Sequence, residues 1–124
     1  MVIKIMIVDD DNDLRFLISQ SLKAVDDEYK ITQASSGEEC LEKIKKSRPD
    51  VILMDLMMSG MNGVETAQKI RAKKIYKDIK IIYLSAKTDK KSLEIASRSG
   101  VDYIEKPVLT EELDRRIKAA LAKK

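Results

Sequence analysis

Short apolar runs alternate along the chain with segments of helical periodicity. Strands are predicted at residues 2–8, 30–34, 51–54, 80–84 and 102–105. The first, third and fourth are almost continuously apolar and rich in Ile and Val, which is typical of strands that are covered on both faces. These three are therefore expected at the centre of a sheet, and the more polar second strand at an edge.

The segments between the strands carry apolar residues at the spacing of amphipathic helices. Asp11 or Asn12 is expected to cap the first helix, and Thr110, followed by two glutamates, the last one. Residues 90–99 give the weakest helical pattern. The longest apolar series consists of Leu14, Leu17, Ile18, Leu22 and Val25.

Alternation of strand and helix, repeated five times, indicates a doubly wound α/β fold with a five-stranded parallel sheet between helices. The 124 residues fit one domain of ordinary size. A single domain over residues 1–124 is therefore expected, with no effector domain visible.

Charge balance, apolar runs and the counts of cysteine and histidine disfavour several classes of protein. Basic and acidic residues nearly balance, 24 against 21, without a long block of one sign, so direct binding of nucleic acid is not expected. No run reaches the roughly 20 apolar residues of a membrane helix, and residues 1–8 do not resemble a signal peptide. Cys40 is the only cysteine and there is no histidine, which disfavours disulfides and zinc. A cytoplasmic location is expected.

Candidate chemistry follows the ends of the predicted strands. Asp9 and Asp10 come after the first strand and Asp55 after the third. Ser85 follows the fourth strand and Lys106 the fifth. Because ligands of doubly wound sheets bind at the carboxyl ends of the strands, these residues are expected to form one site.

The clustered carboxylates predict a cation. Two carboxylates about 4 Å apart repel by roughly 4 kcal/mol at an effective dielectric constant near 20. Oxygen donors favour Mg²⁺ or Ca²⁺ over zinc. Residues 9–12 lack the spaced ligands, glycine and glutamate of a calcium loop, so Mg²⁺ is the expected ion.

Five stretches carry a family resemblance that spans nearly the whole chain. They are residues 7–11 (IVDDD), 51–58 (VILMDLMM), 61–63 (MNG), 84–86 (LSA) and 103–107 (YIEKP). Together they resemble the receiver domain of two-component response regulators. The resemblance implies a flavodoxin-like (βα)5 fold with strand order 2-1-3-4-5.

The resemblance also implies a phosphoacceptor. Asp55 would receive a phosphoryl group from a phosphohistidine on a sensor histidine kinase or a phosphotransfer protein. Asp10, Asp55 and the backbone carbonyl of Met57 would bind Mg²⁺, and Asp9 would act through metal-bound water. The chain has no glycine-rich ATP-binding loop of the Walker type, which agrees with a phosphoprotein donor.

A conformational switch is implied as well. Lys106 and Ser85 would each contact a phosphoryl oxygen, and Tyr103 would change its exposure when Ser85 moves. An output protein is then expected to bind near Tyr103 and the last two helices. The side chains of Met57, Met58 and Met61 are expected to pack, since methionine commonly fills gaps.

Three positions depart from the family pattern. Ser59 stands where proline is usual, Ser85 replaces the commoner threonine, and Val108 stands where an aromatic residue is frequent. None of these changes removes a catalytic group.

Two alternatives share the predicted fold. A pseudo-receiver would be an interaction module without phosphorylation, but such a domain is expected to lack Asp10, Asp55 or Lys106. A phosphatase with an aspartate nucleophile typically has a second aspartate two residues later, where this chain has Met57.

Overall fold

A parallel five-stranded sheet forms the centre of the computed structural model, which describes residues 2–86, 94, 100 and 102–123. The strands run in the order β2-β1-β3-β4-β5, and all neighbours are parallel. The predicted fold class and strand order are therefore confirmed. The strands are β1 (Ile3–Val8), β2 (Tyr29–Ala34), β3 (Val51–Asp55), β4 (Lys80–Ser85) and β5 (Asp102–Glu105).

Helices cover both faces of this sheet. A short 3₁₀ helix, Lys74–Tyr76, follows the third α-helix. The predicted helix at residues 90–99 lies outside the described residues, apart from the helical Glu94. In the described part of the chain, every helix is too short or too polar to cross a membrane. The α-helices are α1 (Asn12–Val25), α2 (Gly37–Lys46), α3 (Gly63–Arg71) and α4 (Thr110–Ala122).

The central strands bury both of their faces, as their apolar sequences predict. On β3, Ile52 and Met54 pack in one core cluster with residues of α2 and α3. Val51 and Leu53 point to the opposite face and pack with residues of α1 and α4. Strand β2 lies at the edge of the sheet, as expected from its mixed sequence.

One local expectation about the helices is wrong, and one apolar series is only partly buried. Thr110 does not cap α4, because it is already the first helical residue, and Leu109 precedes it without a side-chain cap. On α1, Leu17 and Val25 are exposed, whereas Ile18 and Leu22 are buried. The buried pair stands four residues apart and faces the sheet, while the exposed two flank this narrow stripe.

Capping of α1 agrees with the sequence. The carboxylate of Asp11 accepts hydrogen bonds from the amides of Asp13 and Leu14 at 3.0 and 3.1 Å. This cap fixes the start of α1 directly after the Asp9–Asp10 pair.

Candidate functional site

Four parallel strands bring the predicted site residues to one edge of the sheet. Strand register places Val8 beside Met54, and Asp55 beside Leu84. Ser85, the next residue of β4, lies beside Glu105. The loops that begin with Asp9 and Lys106 therefore start at the level of Asp55 and Ser85.

The Lys106 ammonium group joins two buried carboxylates. Its Nζ lies 3.3 Å from Asp9 Oδ2 and 3.3 Å from Asp55 Oδ1. Asp9 and Asp55 are only 1% and 5% exposed. Two buried carboxylates thus share the ammonium group of Lys106, which directly follows β5.

This arrangement shifts the pKa values of Asp55 and Lys106. Burial, followed by the nearby Asp9 carboxylate, raises the pKa of Asp55 to about 6, although Lys106 opposes the rise. Burial by itself would lower the pKa of Lys106, but Asp55 and Asp9 together outweigh it and raise that pKa. Lys106 is therefore charged at neutral pH, and Asp55 is a destabilised anion in the metal-free protein.

Asp10 completes an acidic cluster at the surface of this site. Oxygens of Asp9, Asp10 and Asp55 all lie within 4.8 Å of one another. Asp9 Oδ1 accepts a hydrogen bond from the Asp11 amide at 2.9 Å, and Asp10 Oδ2 accepts one from the Ser59 amide at 3.1 Å. The cluster offers only hard oxygen donors, so it is compatible with Mg²⁺.

Ser85 contributes a buried hydroxyl group to the same edge. Its Oγ has no hydrogen-bond partner among the described residues. A buried, unpaired hydroxyl is energetically costly, which favours a ligand that can accept a hydrogen bond from it. Tyr103, two residues before Glu105 on β5, has a side chain that is 52% exposed.

The loop after β3 wraps around Asp55. The Met57 amide lies 3.4 Å from Asp55 Oδ1, and the Met57 side chain is 60% exposed. The expectation that Met57 packs is therefore wrong, because this tight turn directs it outward, whereas Met58 packs in the core as expected. Lys106 and Pro107 are joined by a cis peptide bond.

Gly63 allows α3 to begin against the end of β3. Its amide donates to the carbonyl of Leu56 at 3.0 Å. A Cβ atom at this position would lie 2.3 Å from the carbonyl oxygen of Asp55 and 3.0 Å from Leu56 Cα. Only glycine fits this approach, so Gly63 sets the position of the backbone that carries Asp55.

Arg15 supports the site from α1, a role that no sequence motif predicted. Its guanidinium group donates to the carbonyl oxygen of Asp9 at 2.5 Å and to Gln33 Oε1 at 3.2 Å. It also bonds Asn12. Arg15 lies one helical turn after the Asp11 cap, and this spacing is the only sequence signal that points to the role.

Comparison with known proteins decides the family. The chain matches the response regulator receiver domain family over residues 5–118. It belongs to the response regulator receiver domain family.

Individual relatives agree with this membership. The chain is 38% identical over 117 residues to a protein-glutamate methylesterase/protein-glutamine glutaminase of Methanococcus maripaludis, covering 92% of this chain and 31% of that protein. It is 34% identical over 119 residues to the DNA-binding response regulator MtrA of Mycobacterium tuberculosis, covering 95% and 50%. The crystal structure of chemotaxis protein CheY4 of Vibrio cholerae superposes with a TM-score of 0.88 at 27% identity, covering 97% and 99%.

The receiver family defines the general class of function. Receiver domains are signalling domains that interact with histidine kinases or phosphotransfer proteins, and phosphorylation and Mg²⁺ are typical of them. The chain spans about a third to a half of the length of these two curated relatives. Esterase activity and DNA binding are therefore properties of those proteins and are not carried over to this chain.

Proposed function

We propose that this receiver accepts a phosphoryl group on Asp55 in a Mg²⁺-dependent reaction and thereby switches its affinity for an output protein. The observation that carries the proposal is the contact of the Lys106 ammonium group with both Asp9 and Asp55, at 3.3 Å each. A carboxylate nucleophile beside a fixed cation and an acidic cluster is the arrangement that phosphoryl transfer to aspartate requires.

Asp10 and Asp55, together with the backbone carbonyl of Met57, would hold the metal ion, and Asp9 would act through metal-bound water. When bound, Mg²⁺ supplies positive charge at the phosphoryl oxygens. The closeness of the three carboxylates supports this assignment, because their mutual repulsion is relieved by a cation.

In the proposed reaction, the Asp55 carboxylate attacks phosphorus of a phosphohistidine on a sensor histidine kinase or phosphotransfer protein. A P–O bond forms to Asp55, the P–N bond breaks, and the leaving imidazole nitrogen keeps the electron pair. Lys106 would stabilise the negative charge on one equatorial oxygen. To do so, it would move its ammonium group from the carboxylate of Asp55 to the phosphoryl group.

Ser85 and Tyr103 would convert phosphorylation into a change of surface. The Ser85 hydroxyl has no partner among the described residues and would donate to a phosphoryl oxygen. Tyr103, half exposed on β5, would then turn inward and shift an existing equilibrium between two surfaces. An output protein would bind near Tyr103 and the last two helices that the sequence predicts.

The experiment is phosphorylation with acetyl phosphate, followed by intact-mass measurement. With Mg²⁺ the mass is expected to rise by one phosphoryl group, and without Mg²⁺ or in Asp55→Asn it is expected to stay unchanged. Asp78→Asn, an exposed aspartate in the loop before β4, is the matched control and should be labelled like the parent. Lack of labelling in the parent would favour the pseudo-receiver alternative.

A further inference from the structure

A groove between α2 and α3 lies away from the candidate site. It has a volume of about 340 Å³ and opens beside the C-terminal ends of both helices. Helix α3 starts at Gly63, against Asp55, and runs for nine residues, about 13 Å, toward the opposite end of the sheet. The groove is therefore separate from the phosphorylation chemistry.

The floor of this α2–α3 groove is apolar. Ile44 and Ile70 are buried at its base, and Leu41 and Tyr76 are half-buried along it. Beside it, Ile75 of the 3₁₀ helix is 66% exposed. An apolar cleft of this kind is suited to receive side chains from one face of a helix.

The rim of the α2–α3 groove carries three lysines and one acidic residue, Glu42. Lys45 of α2 and Lys69 and Lys73 on the α3 side all line it and are exposed. Residues 69–77 read KIRAKKIYK, with five basic residues and no acidic one.

Most of the lysines around this groove have no carboxylate partner in the part of the chain that the structure describes. Lys45 is paired with Glu42 at 3.4 Å. Among the described residues, Lys69, Lys73, Lys74 and Lys77 have no carboxylate partner within 4 Å. Unpaired lysines around an apolar cleft are complementary to carboxylates that flank an apolar stripe.

We propose that the α2–α3 groove docks an acidic amphipathic helix of a partner protein. Apolar side chains of that helix would enter the cleft over Ile44 and Ile70, and flanking Glu or Asp residues would pair with Lys69 and Lys73. This docking surface is distinct from the surface around Tyr103, so the receiver can hold one partner here while the surface around Tyr103 stays accessible.

The shape of the surface favours a helix over other anionic partners. A membrane requires several apolar side chains that project outward, but among the described residues beside the groove only Ile75 does so, and Ile44 and Ile70 are buried. Nucleic acid would use the lysines and leave the apolar floor unoccupied.

The test uses a fluorescently labelled model peptide with a leucine stripe flanked by glutamates, and a scrambled peptide of the same composition. Fluorescence anisotropy is expected to give at least ten-fold tighter binding for the amphipathic peptide. Replacing its leucines with serine, or raising salt from about 50 mM to about 300 mM, is expected to weaken binding at least five-fold. Equal binding of the two peptides would overturn the proposal.

Variants locate the binding site. Lys69→Glu combined with Lys73→Glu reverses two exposed charges at the rim and is expected to weaken binding at least ten-fold. Lys23→Glu combined with Lys30→Glu makes the same charge change at the β2 side of the molecule and should stay within two-fold of the parent. Equal loss in both double variants would show nonspecific attraction and overturn the proposal.

Other occupants are separate outcomes of the same test. Stronger binding to vesicles that contain phosphatidylglycerol, or to duplex DNA, than to the peptide would overturn the acidic helix as occupant. Sedimentation that shows dimers of the parent, lost in Lys69→Glu with Lys73→Glu, would assign the groove to a second copy and also overturn it. A monomer with peptide-selective binding supports the proposal.

Discussion

The backbone amide of Ser59 donates a hydrogen bond to Asp10 Oδ2 over 3.1 Å and thereby ties the loop after β3 to the loop after β1. The Ser59 hydroxyl lies 3.5 Å from the same oxygen. Proline, which is usual in the family at this position, has no amide proton to donate. This chain therefore holds its exposed metal-binding candidate by a bond that a proline-containing relative could not make there.

Substitution of Ser59 tests this hydrogen bond. Ser59→Pro is expected to weaken Mg²⁺ binding about five-fold, or about 1 kcal/mol, because it removes a hydrogen bond to a charged group. Ser59→Ala retains the amide and should stay within two-fold of the parent. Isothermal titration calorimetry measures both affinities, and an unchanged affinity in Ser59→Pro would show that the bond does not position Asp10.

The pKa of Asp55 predicts how stability depends on pH in the metal-free protein. It is raised to about 6 from an ordinary value of 3.8, first by burial and then by Asp9. Between these values the unfolded chain loses the proton while the folded protein keeps it, so stability falls as pH rises. The pKa difference corresponds to about 3 kcal/mol.

Asp55→Asn removes this cost. In EDTA at about pH 7.5 the variant is expected to gain about 2 kcal/mol in free energy of unfolding, and at about pH 4 less than about 1 kcal/mol. Urea denaturation at the two pH values measures the difference. A gain of equal size at both values would mean that ionisation of Asp55 is not its source.

Lys106 is expected to stabilise the metal-free fold through its two carboxylate partners. Lys106→Ala leaves Asp9 and Asp55 without this cation and should lower the free energy of unfolding by about 2 kcal/mol near neutral pH. In an Asp55→Asn background the loss should be at most half as large, because one partner is already neutral. Urea denaturation in EDTA measures the loss of free energy of unfolding in both backgrounds.

A lysine without a buried partner provides the control for that measurement. Lys4→Ala, at an exposed position of β1, should change the free energy of unfolding by less than about 0.5 kcal/mol. An equal cost of Lys106→Ala in the parent and in Asp55→Asn would contradict the coupling.

Met57 is expected to slow loss of the phosphoryl group. Its side chain is 60% exposed beside Asp55 and offers only a weakly accepting thioether to water. Hydrolysis requires water in line with the leaving carboxylate, and a polar side chain could orient it. Loss of the label, followed by intact mass, should be faster in Met57→Asn than in the parent, and equal or slower loss would exclude Met57 as the limiting group.

Much of the fold was predictable because burial shows directly in the sequence. The continuous apolar runs of β1, β3 and β4 identified the strands that are covered on both faces, and the mixed sequence of β2 identified an edge. The exposure of Leu17 was not predictable, because a helical apolar pattern does not tell how wide the covered stripe is.

The sequence predicted which residues lie together in the candidate site, but not how their side chains contact one another. Asp55 and Ser85 end two parallel strands, and parallel strands end at the same edge of a sheet. Their positions in the sequence therefore predicted that they lie close together. That Lys106 would contact both buried carboxylates depends on side-chain packing across three strands. The outward direction of Met57 depends on the turn after β3, which has no periodic pattern.

Mapping the phosphorylated residue tests the assignment of Asp55 most directly. After reaction with acetyl phosphate and Mg²⁺, borohydride reduces an aspartyl phosphate to homoserine, and peptide mass spectrometry locates the change. Homoserine is expected at position 55, with unmodified aspartate at positions 9 and 10. Homoserine at Asp9 or Asp10 with Asp55 unmodified, or no homoserine in fully labelled protein, would contradict the assignment of Asp55 as the phosphoacceptor.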